Sequence, residues 1–374
     1  MQKNIFKDKL NSYWRNIDKN ILFSFIALFF LGLFFSFSST SPLAGERLNK
    51  DYYFFFSKHL IFVIFSLILM LLISFVSKEI LNKIVIPIFI ILFCLLILVP
   101  FVGVEVKGSK RWLNFYFFRL QPIELIKPFF ILFTAKVLAY NNLKVSNASY
   151  LFSFLILFSI IILLINQPDL GQSILLIGTW AVMLFIAGIN LIYIFSFFGI
   201  TFLGFAGLLY SFPEKFGYIT QRLSTFLDPT KGDSFQTQKA LDAIKQGGLK
   251  GQGMGEGILK DNLPEGHNDY IIAVISEEFG SIVSIFLIII FLYISFRIIK
   301  FTVTELDNNL KISLCGLSTL LIFQTFIHIG VNTSLLPTTG MTLPFLSYGG
   351  SSLIGSSILA GFILNYTKNR VRDV

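Results

Sequence analysis

Long apolar runs, separated by short polar segments, dominate the pattern of this 374-residue chain. The hydrocarbon core of a bilayer is about 30 Å thick and takes about 20 apolar residues in a helix. Nine runs have roughly that length, and a shorter tenth run near 125–140 carries Lys127 and Lys136. The nine lie near 21–39, 59–77, 83–103, 151–165, 172–189, 190–210, 271–296, 311–331 and 346–366. The pattern predicts an all-α polytopic membrane protein with about ten transmembrane helices, in a single membrane domain that covers residues 1–374.

The amino-acid composition supports this class. Hydrophobic residues make up 55% of the chain, and charged residues only 14%. A soluble globular domain carries a charge at about a quarter of its positions, so an ordinary soluble fold is excluded.

The charges at the two ends predict the orientation of the chain. The N-terminal segment 1–20 and the tail 367–374 are both rich in lysine and arginine, and such segments remain in the cytoplasm. We therefore expect both termini to be cytoplasmic and the first span to stay as an anchor rather than a cleaved signal. The loops at 40–57, 104–124, 166–171, 211–270 and 332–345 then face outward.

The largest outward loop, at 211–270, separates the seventh and eighth spans. It is too short for a domain with its own core, so we expect it to lie on the membrane surface and fold over the helix bundle. Its glycine-rich stretch Gly247–Gly257 fits no nucleotide-binding motif. Either a nest of backbone amides for a phosphate or a flexible linkage would explain that stretch.

The overall charge, the cysteines and the histidines limit the kinds of partner, disulfide and metal site that we expect. The formal net charge of +9 suggests that the protein contacts anionic membrane lipids and phosphates. We expect no nucleic-acid partner. Cys94 and Cys315 both lie inside spans, so we expect no disulfide framework. The histidines are scattered, which does not support a structural zinc or haem site.

The stretch Leu263–Gly280 carries acidic groups into the eighth span. Glu265, His267 and Asp269 lie at its mouth, in or just before a helix that we expect to begin near Asn268. Asp269 would share a face with Ala273 and Ser276 and could meet a substrate at the outer surface. Alternatively, Asp269 only caps the helix and His267 is a surface residue.

Two further carboxylates, Glu277 and Glu278, are expected about 12 Å deeper at 1.5 Å per residue. They point about 100° apart on a helix and so cannot both face the bundle interior. At least one is expected to be protonated or paired with a cation.

The outward loop at 104–124 gathers positive charge. Lys107, Lys110 and Arg111 lie beside Trp112, an arrangement suited to a phosphate at the interface, with anchoring to lipid head groups as the alternative. Glu124 and Lys127 have the i, i+3 spacing of an ion pair, just before the helix breaker Pro128.

Two other segments have structural interpretations. Asp169, in the turn Gln167–Gln172, is expected to be a helix-capping or turn residue. The small residues Gly349–Ser352, with Gly355 and Ser356, would let another helix approach closely.

The polar groups face a compartment without nucleoside triphosphates, so any reaction must use a substrate activated beforehand or an ion gradient. A carboxylate among cations suits transfer from a lipid pyrophosphate: the carboxylate takes a proton from the attacking hydroxyl, and cations or a metal hold the departing group. The same residues could instead line a transport pathway in which carboxylates relay protons. The position of Asp269 at the outer mouth favours chemistry.

Six motifs lie in order along nearly the whole chain: Lys107–Trp112, Gln121–Pro128, Gln167–Gln172, Asp228–Asp233, Leu263–Asp269 with Glu277–Gly280, and Ser347–Ser352. Together they resemble the SEDS family (shape, elongation, division and sporulation), whose members polymerise peptidoglycan glycan strands. The segments 332–345 and 255–264 look like division-type members more than elongation-type ones, the second like those of alphaproteobacteria. Ile123 and Asn268 depart from the usual pattern and leave the proposed base and ion pair intact, whereas the departure at Thr333–Ser334 bears on the choice between division and elongation types.

The resemblance implies a ten-helix fold in the bacterial inner membrane, at the division septum. It implies lipid II as donor and acceptor, β-1,4 extension of the glycan strand and release of undecaprenyl diphosphate. It also implies that Asp269 takes the position of the family's essential aspartate. We expect Asp269 to act as the general base, with Mg²⁺ or Mn²⁺ as a candidate ion near it. Glu124 and Lys127 match the buried ion pair of the family. The expected substrate contacts are Lys107, Lys110, Arg111, Glu124, Lys127, Arg222, Glu265, His267, Ser347 and Ser351.

The expected partners are lipid II and the nascent glycan strand, a class B penicillin-binding protein with transpeptidase activity, other division proteins and membrane lipids. Two rival functions belong to different classes. One is a lipid II flippase, and the other is a non-catalytic scaffold for the penicillin-binding partner.

Overall fold

The apolar runs fold into a bundle of helices. The computed structural model describes residues 7, 11–39, 54–106, 108–116, 118–140, 146–211, 213–228 and 234–368. Lys107, residues 40–53 and 229–233, and most of both charged termini lie outside this description. In chain order the elements are α1 (Lys19–Ser39), α2 (Phe54–Phe75), α3 (Lys78–Val102), β1 (Val104–Val106), β2 (Ser109–Phe115), β3 (Phe118–Leu120), α4 (Pro122–Leu138), α5 (Asn147–Asn166), α6 (Leu170–Ile186), α7 (Leu191–Ser211), α8 (Pro213–Leu227), α9 (Phe235–Gly247), a 3₁₀ turn (Leu259–Asn262), α10 (Ile271–Thr304), α11 (Asn308–Asn332) and α12 (Gly350–Tyr366).

Within the described residues, six helices are long and apolar enough to cross a bilayer: α1, α2, α3, α5, α10 and α11. The apolar helices α4, α6, α7 and α12 coincide with the four other predicted spans. The prediction of a helical polytopic membrane protein is confirmed, whereas the number of membrane crossings stays a prediction.

Three of the helices are preceded by a residue whose side chain caps the first turn. Ser77, Ser146 and Asp307 precede α3, α5 and α11, and each side chain accepts a hydrogen bond from an amide of the first turn. Such caps satisfy amides that have no partner within the helix. They fix where three of the apolar runs begin.

The helix α4 runs through Pro128, in agreement with the tenth span predicted near 125–140. Proline has no N–H to donate to the carbonyl four residues earlier, which is that of Glu124. Gly355 of α12 packs on this carbonyl so closely that a Cβ would collide with it. The predicted close approach of a helix at the small residues is therefore confirmed at Gly355.

The bundle is centred on α4, α11 and α12. Helix α12 packs along α2 and α4, and α11 packs against α6, α10 and α4. The residues before α10 and those between α11 and α12 therefore lie at the same end of the bundle.

The outward loop at 104–124 contains a small antiparallel sheet in the order β1-β2-β3, which the sequence reading did not anticipate. Glu105 pairs with Lys110, and Asn114 pairs with Arg119. Successive side chains of a strand point to opposite faces. Lys110 is accordingly exposed, whereas Arg111 is turned inward and half-buried.

The glycine-rich stretch after α9 is docked on α10 at the point where that helix is broken. Gly280 has a φ of +82° and a ψ of 168° inside α10. The amides of Gln252 and Gly253 donate to the carbonyls of Glu277 and Glu278 at 2.9 and 3.0 Å. In return, the amide of Ser281 donates to Gly248 O at 2.9 Å. The stretch is thus a packed backbone contact, and both the phosphate nest and the flexible linkage are wrong for these residues.

The docked stretch also explains the two acidic residues of α10. Glu277 and Glu278 are both buried, at 0% and 1% exposure. Glu277 accepts hydrogen bonds from the amides of Leu259 and Lys260 at 2.8 and 2.9 Å, and Glu278 pairs with the ammonium group of Lys260. The expected pairing with a cation is confirmed. The two side chains need not both face the bundle interior to be buried, because the loop covers the helix face turned away from the bundle.

We expect Gly251→Ala to destabilise the protein more than Gly255→Ala. Both glycines have a φ of +82°, which costs a residue with a Cβ about 1–2 kcal/mol. Only at Gly251 would the Cβ also collide with the carbonyl oxygen of Glu278, since Gly255 has open space around it. Thermal unfolding of both purified variants at one scan rate measures the difference, and equal losses of Tm would contradict the docking.

Candidate active site

Asp269 lies just before α10, two residues ahead of the first helical residue. The helix begins at Ile271, and Tyr270 takes the N-cap position without a side-chain cap bond. The expected helix start near Asn268 is therefore wrong by three residues, and Asp269 does not share a helical face with Ala273. The N-cap position belongs to Tyr270 and not to Asp269, whose side chain is half-buried.

The carboxylate of Asp269 faces the segment between α11 and α12. A Cβ on Gly340 would lie 3.4 Å from Asp269 Oδ2. Gly340 has a φ of +67°, a conformation that glycine adopts at no steric cost. The segment can therefore pass close to the acid without a side chain in between.

Arg222 of α8 reaches the same segment. Its Nη1 donates to the carbonyl of Thr338 at 3.2 Å, two residues before Gly340. Burial lowers the pKa of the Arg222 guanidinium, as does the nearby Arg111, while Asp169 and Tyr270 act in the opposite direction. Burial, with a smaller effect of the neighbouring Asp269, raises the pKa of the Tyr270 hydroxyl. Acidic and basic groups thus flank one segment at one end of the bundle.

Arg111 belongs to this end as well, but part of its guanidinium is already engaged. Its Nε donates to the carbonyl of Gln167 at 3.0 Å, its Nη2 donates to that of Pro168, and Nε lies 3.9 Å from Asp169 Oδ2. Burial raises the pKa of the Asp169 carboxyl, and the Arg111 charge opposes this. Asp169 is the residue before α6 and makes no side-chain cap bond. It therefore takes the N-cap position, in agreement with the predicted helix-capping or turn residue, and its carboxylate lies next to Arg111.

The predicted cluster of Lys107, Lys110 and Arg111 does not appear as one patch. Lys110 and Arg111 point to opposite faces of β2, and Lys107 lies outside the described residues. The structure instead places Arg111 near enough to Arg222, more than a hundred residues away in the chain, for its charge to lower the pKa of that guanidinium. The roles of Lys107 and Lys110 toward a substrate stay predictions.

Glu124 and Lys127 form the predicted buried ion pair. Lys127 Nζ lies 2.8 Å from Glu124 Oε2, and the two residues are 2% and 4% exposed. Gln172 Nε2 donates to Glu124 Oε1 at 2.6 Å, and Lys127 Nζ donates to Gln324 Oε1 at 3.1 Å. A small cleft adjoins the pair and is lined in part by Gln324 and Phe345.

The other predicted contacts are engaged with protein groups. The ring of His267 contacts those of Phe55 and Tyr348, each with a centroid distance of 5.6 Å. Ser347 Oγ donates to Asn268 O at 2.7 Å and accepts from the amide of Leu343.

Ser351 Oγ accepts from the amide of Gln121 at 2.9 Å and so holds the start of α4. Glu265 is half-buried and has a φ of +58°. The roles of Glu265, His267, Ser347 and Ser351 as substrate contacts stay predictions.

Sequence reasoning missed three polar residues of α11 that face the site. Gln324 Nε2 donates to Thr342 O at 3.1 Å, His328 Nδ1 lies 2.7 Å from Met341 O, and Asn332 Nδ2 donates to Asp269 O at 3.1 Å. Residues spaced by four share one face of a helix. A polar stripe at i, i+4 and i+8 on an apolar span was the signal that could have revealed them.

A divalent cation fits this site only with help from a substrate. Among the described residues, no three histidine, cysteine or acidic side chains come together as a metal cage. Mg²⁺ is commonly held by one or two carboxylates together with substrate phosphates. Asp269 could supply one such oxygen, with a diphosphate supplying others.

Comparisons with known proteins match almost the whole chain. The family model for FtsW, RodA and SpoVE, described as cell cycle protein, matches residues 18–372. The chain is 33% identical over 362 residues to the probable peptidoglycan glycosyltransferase FtsW of Caulobacter vibrioides, covering 96% of this chain and 92% of that protein. It is 34% identical over 349 residues to the stage V sporulation protein E of Bacillus subtilis, covering 92% and 94%.

Solved structures share the fold. The rod shape determining protein RodA of Thermus thermophilus aligns with a TM-score of 0.70 at 23% identity, over 96% of this chain and 98% of that one. A chain from a peptidoglycan synthase complex that coordinates polymerization and crosslinking aligns with a TM-score of 0.75 at 24% identity, over 96% and 99%. With its motifs, its helical bundle and these matches in agreement, the protein belongs to the FtsW, RodA and SpoVE family of cell cycle proteins, the SEDS family.

Proposed function

We propose that this protein is a peptidoglycan glycosyltransferase that polymerises lipid II into β-1,4-linked glycan strands at the outer face of the bacterial inner membrane, during septal wall synthesis. The observation that carries the proposal is the half-buried carboxylate of Asp269 against Gly340, with Arg222 bound two residues away at Thr338. Relatives named probable peptidoglycan glycosyltransferase FtsW support it.

In the proposed reaction, Asp269 acts as the general base. Its carboxylate takes the proton of the acceptor sugar hydroxyl while that oxygen forms a bond to the anomeric carbon of the donor. The bond from that carbon to the diphosphate breaks, its electron pair leaves with undecaprenyl diphosphate, and the anomeric configuration inverts. The carboxylate supplies the base, and the activated donor supplies the driving force.

The cations near the site would hold the departing diphosphate. Arg222 and Arg111 carry positive charge at this end of the bundle, and charge placed where a negative charge develops lowers the barrier. Lys127 is committed to Glu124 and Gln324, so we assign it a supporting role within the site. A divalent cation, when bound, would neutralise further charge on the diphosphate.

The setting of the enzyme follows from the same reasoning. The chain is an integral membrane protein, and we propose that both termini face the cytoplasm and that it acts at the division septum. The proposed partner is a class B penicillin-binding protein that crosslinks the product. Support comes from the fold shared with a chain of a complex that coordinates polymerization and crosslinking.

The flippase alternative lacks support from the acidic residues of α10. A proton relay needs carboxylates that can change partners, whereas Glu277 and Glu278 bind the docked loop and Lys260. A liposome assay separates the classes: a flippase moves labelled lipid II across the membrane without forming polymer, and a scaffold does neither.

We expect Asp269→Asn to reduce glycan polymerisation by about 10²-fold or more, because loss of a general base usually costs that much. The amide has nearly the same size, so folding and partner binding should persist. Glycan length on lipid II, measured by gel, gives the rate, and co-purification gives partner binding.

The matched control for this change is Asp242→Asn, which alters an exposed carboxylate on α9. It should leave polymerisation unchanged. Near-normal glycan synthesis by Asp269→Asn would refute the assigned base, and lost partner binding would favour the scaffold.

We expect the ion pair of Glu124 and Lys127 to show strong coupling in stability. Removing one partner of a buried pair leaves an uncompensated charge and costs about 3–5 kcal/mol. Glu124→Gln or Lys127→Met alone should therefore lower Tm more than the double variant does. Thermal unfolding of the three variants tests this, and additive losses would show that the pair contributes no mutual stabilisation.

We expect EDTA to slow polymerisation and added Mg²⁺ or Mn²⁺ to restore it, because the diphosphate carries more charge than the described arginines neutralise. Initial rates on lipid II at several chelator concentrations provide the measurement, with Ca²⁺ as a comparison ion. Rates that are insensitive to EDTA would remove the metal from the proposal and leave the cationic side chains to act alone.

A further inference from the structure

The backbone around Asp269 is held by a set of contacts that the reaction scheme does not use. Three consecutive carbonyl groups, those of residues 267, 268 and 269, each accept a hydrogen bond from another part of the chain. The amide of Tyr348 donates to His267 O at 3.0 Å, Ser347 Oγ donates to Asn268 O at 2.7 Å, and Asn332 Nδ2 donates to Asp269 O at 3.1 Å. We call these three contacts the carbonyl clamp.

We propose that Asn332 and Ser347 are positioning residues for the base Asp269, acting through its backbone. This inference rests on the proposed function. With its carbonyl and the two preceding ones fixed, Asp269 keeps only the rotations of its own short side chain. Holding a catalytic group in the productive geometry is worth a large factor in rate, and a displacement of about 1 Å can cost about 10²-fold.

The hydrogen bonds of the Asn332 side chain fit a role as donor to the backbone of Asp269. The residue is 0% exposed, and its Nδ2 also donates to His328 O at 2.8 Å. Both amide hydrogens are therefore used, while Oδ1 is buried and has no hydrogen-bond partner among the described residues. An unpaired buried acceptor is costly, so Asn332 is not the choice that stability alone would favour. The hydrogen bond from Asn332 Nδ2 to Asp269 O, which links α11 to Asp269, accounts for an asparagine at this position.

The segment that carries Ser347 is held rigidly enough to act as a clamp. Ser334, Gly340 and Phe345 have φ values of +56°, +67° and +66°. For a bulky residue such as Phe345 this conformation is rare and strained. Such strain persists only where the surroundings over-determine the backbone, and it clusters at active sites.

Contacts from α1 and α11 fix the backbone of this segment. Gln324 and His328 of α11 bind the carbonyls of Thr342 and Met341. The ring of Phe345 packs on Phe25 and Phe29, with centroid distances of 5.2 and 5.1 Å. The segment is thus fixed from α1 and α11 before it reaches Ser347.

The clamp gives Ser347 a role different from direct contact with the substrate. Its hydroxyl hydrogen is used on Asn268 O, and its oxygen accepts from the amide of Leu343 at 2.8 Å. A substrate-binding serine would change the KM for lipid II when it is lost. A positioning serine would change kcat.

The test measures polymerisation of lipid II by the full-length protein, together with its crosslinking partner where that is needed for activity. The variants are Asn332→Ala, Ser347→Ala and the conservative Ser347→Thr, which keeps the hydroxyl. The matched control is Asn365→Ala. Asn365 is also 0% exposed and donates to three backbone carbonyls, but at the opposite end of α12.

We expect Asn332→Ala and Ser347→Ala each to lower kcat per folded molecule by about 10- to 100-fold, with KM changed less than about threefold. Ser347→Thr should recover most of the rate. Asn365→Ala should lower Tm but leave kcat per folded molecule unchanged. On an Asp269→Asn background, Asn332→Ala should lower the residual rate by less than about threefold, because both changes act through one group.

Three results would overturn the inference. One is an unchanged kcat per folded molecule in both clamp variants. Another is a raised KM at normal kcat for Ser347→Ala, which would make that serine a substrate contact. The third is a full additional loss of rate on the Asp269→Asn background.

Failure of the proposed function looks different from failure of the clamp. If Asp269→Asn polymerises normally, the general base is wrong whatever the clamp variants do. If Asp269→Asn is inactive and the clamp variants are normal, only the carbonyl clamp is wrong.

Discussion

Lys127 lies in the interior of the helix bundle with its ammonium group bonded to Glu124 and to Gln324. A charge removed from water is tolerated only when it is paired and its remaining donors are satisfied. The pair therefore constrains α6, which supplies Gln172 to Glu124, and α11, which supplies Gln324 to Lys127. Three helices are locked in register by one buried network.

This network extends to the site without any break. Gln324, which receives a hydrogen bond from Lys127, donates to the carbonyl of Thr342. Thr342 begins the strained turn through Phe345 to Ser347, and Ser347 binds the backbone next to Asp269. A continuous series of contacts therefore connects the ion pair of Glu124 and Lys127 to the backbone next to Asp269, the proposed base.

On its C-terminal side, Asp269 is supported by the contacts between α10 and the outer loop. The helix α10 is broken at Gly280, and the backbone of the glycine-rich stretch fills the gap with hydrogen bonds. Glu277 and Glu278 bind the rest of that loop through amides and Lys260. The first turns of α10, which follow Asp269 directly, are consequently held by the outer loop as well as by the bundle. Glycine is required there because the two backbones pack so closely that no room is left for a Cβ.

The sequence by itself determined the class of the protein and the local parts of the site. The apolar runs had to become helices because a bilayer offers no water to backbone groups, and the i, i+3 spacing brought Glu124 to Lys127 within one helix. Motifs that resemble the SEDS family marked Asp269.

Only the tertiary structure decided which distant groups meet. Asn332 lies 63 residues from Asp269, and Lys127 lies 197 residues from Gln324, so no local pattern could pair them. The sheet that turns Lys110 away from Arg111, and the glycine backbone docked at Gly280, were missed for the same reason. Periodicity reports which face of an element is buried, whereas the partner on that face is set by the packing of the whole chain.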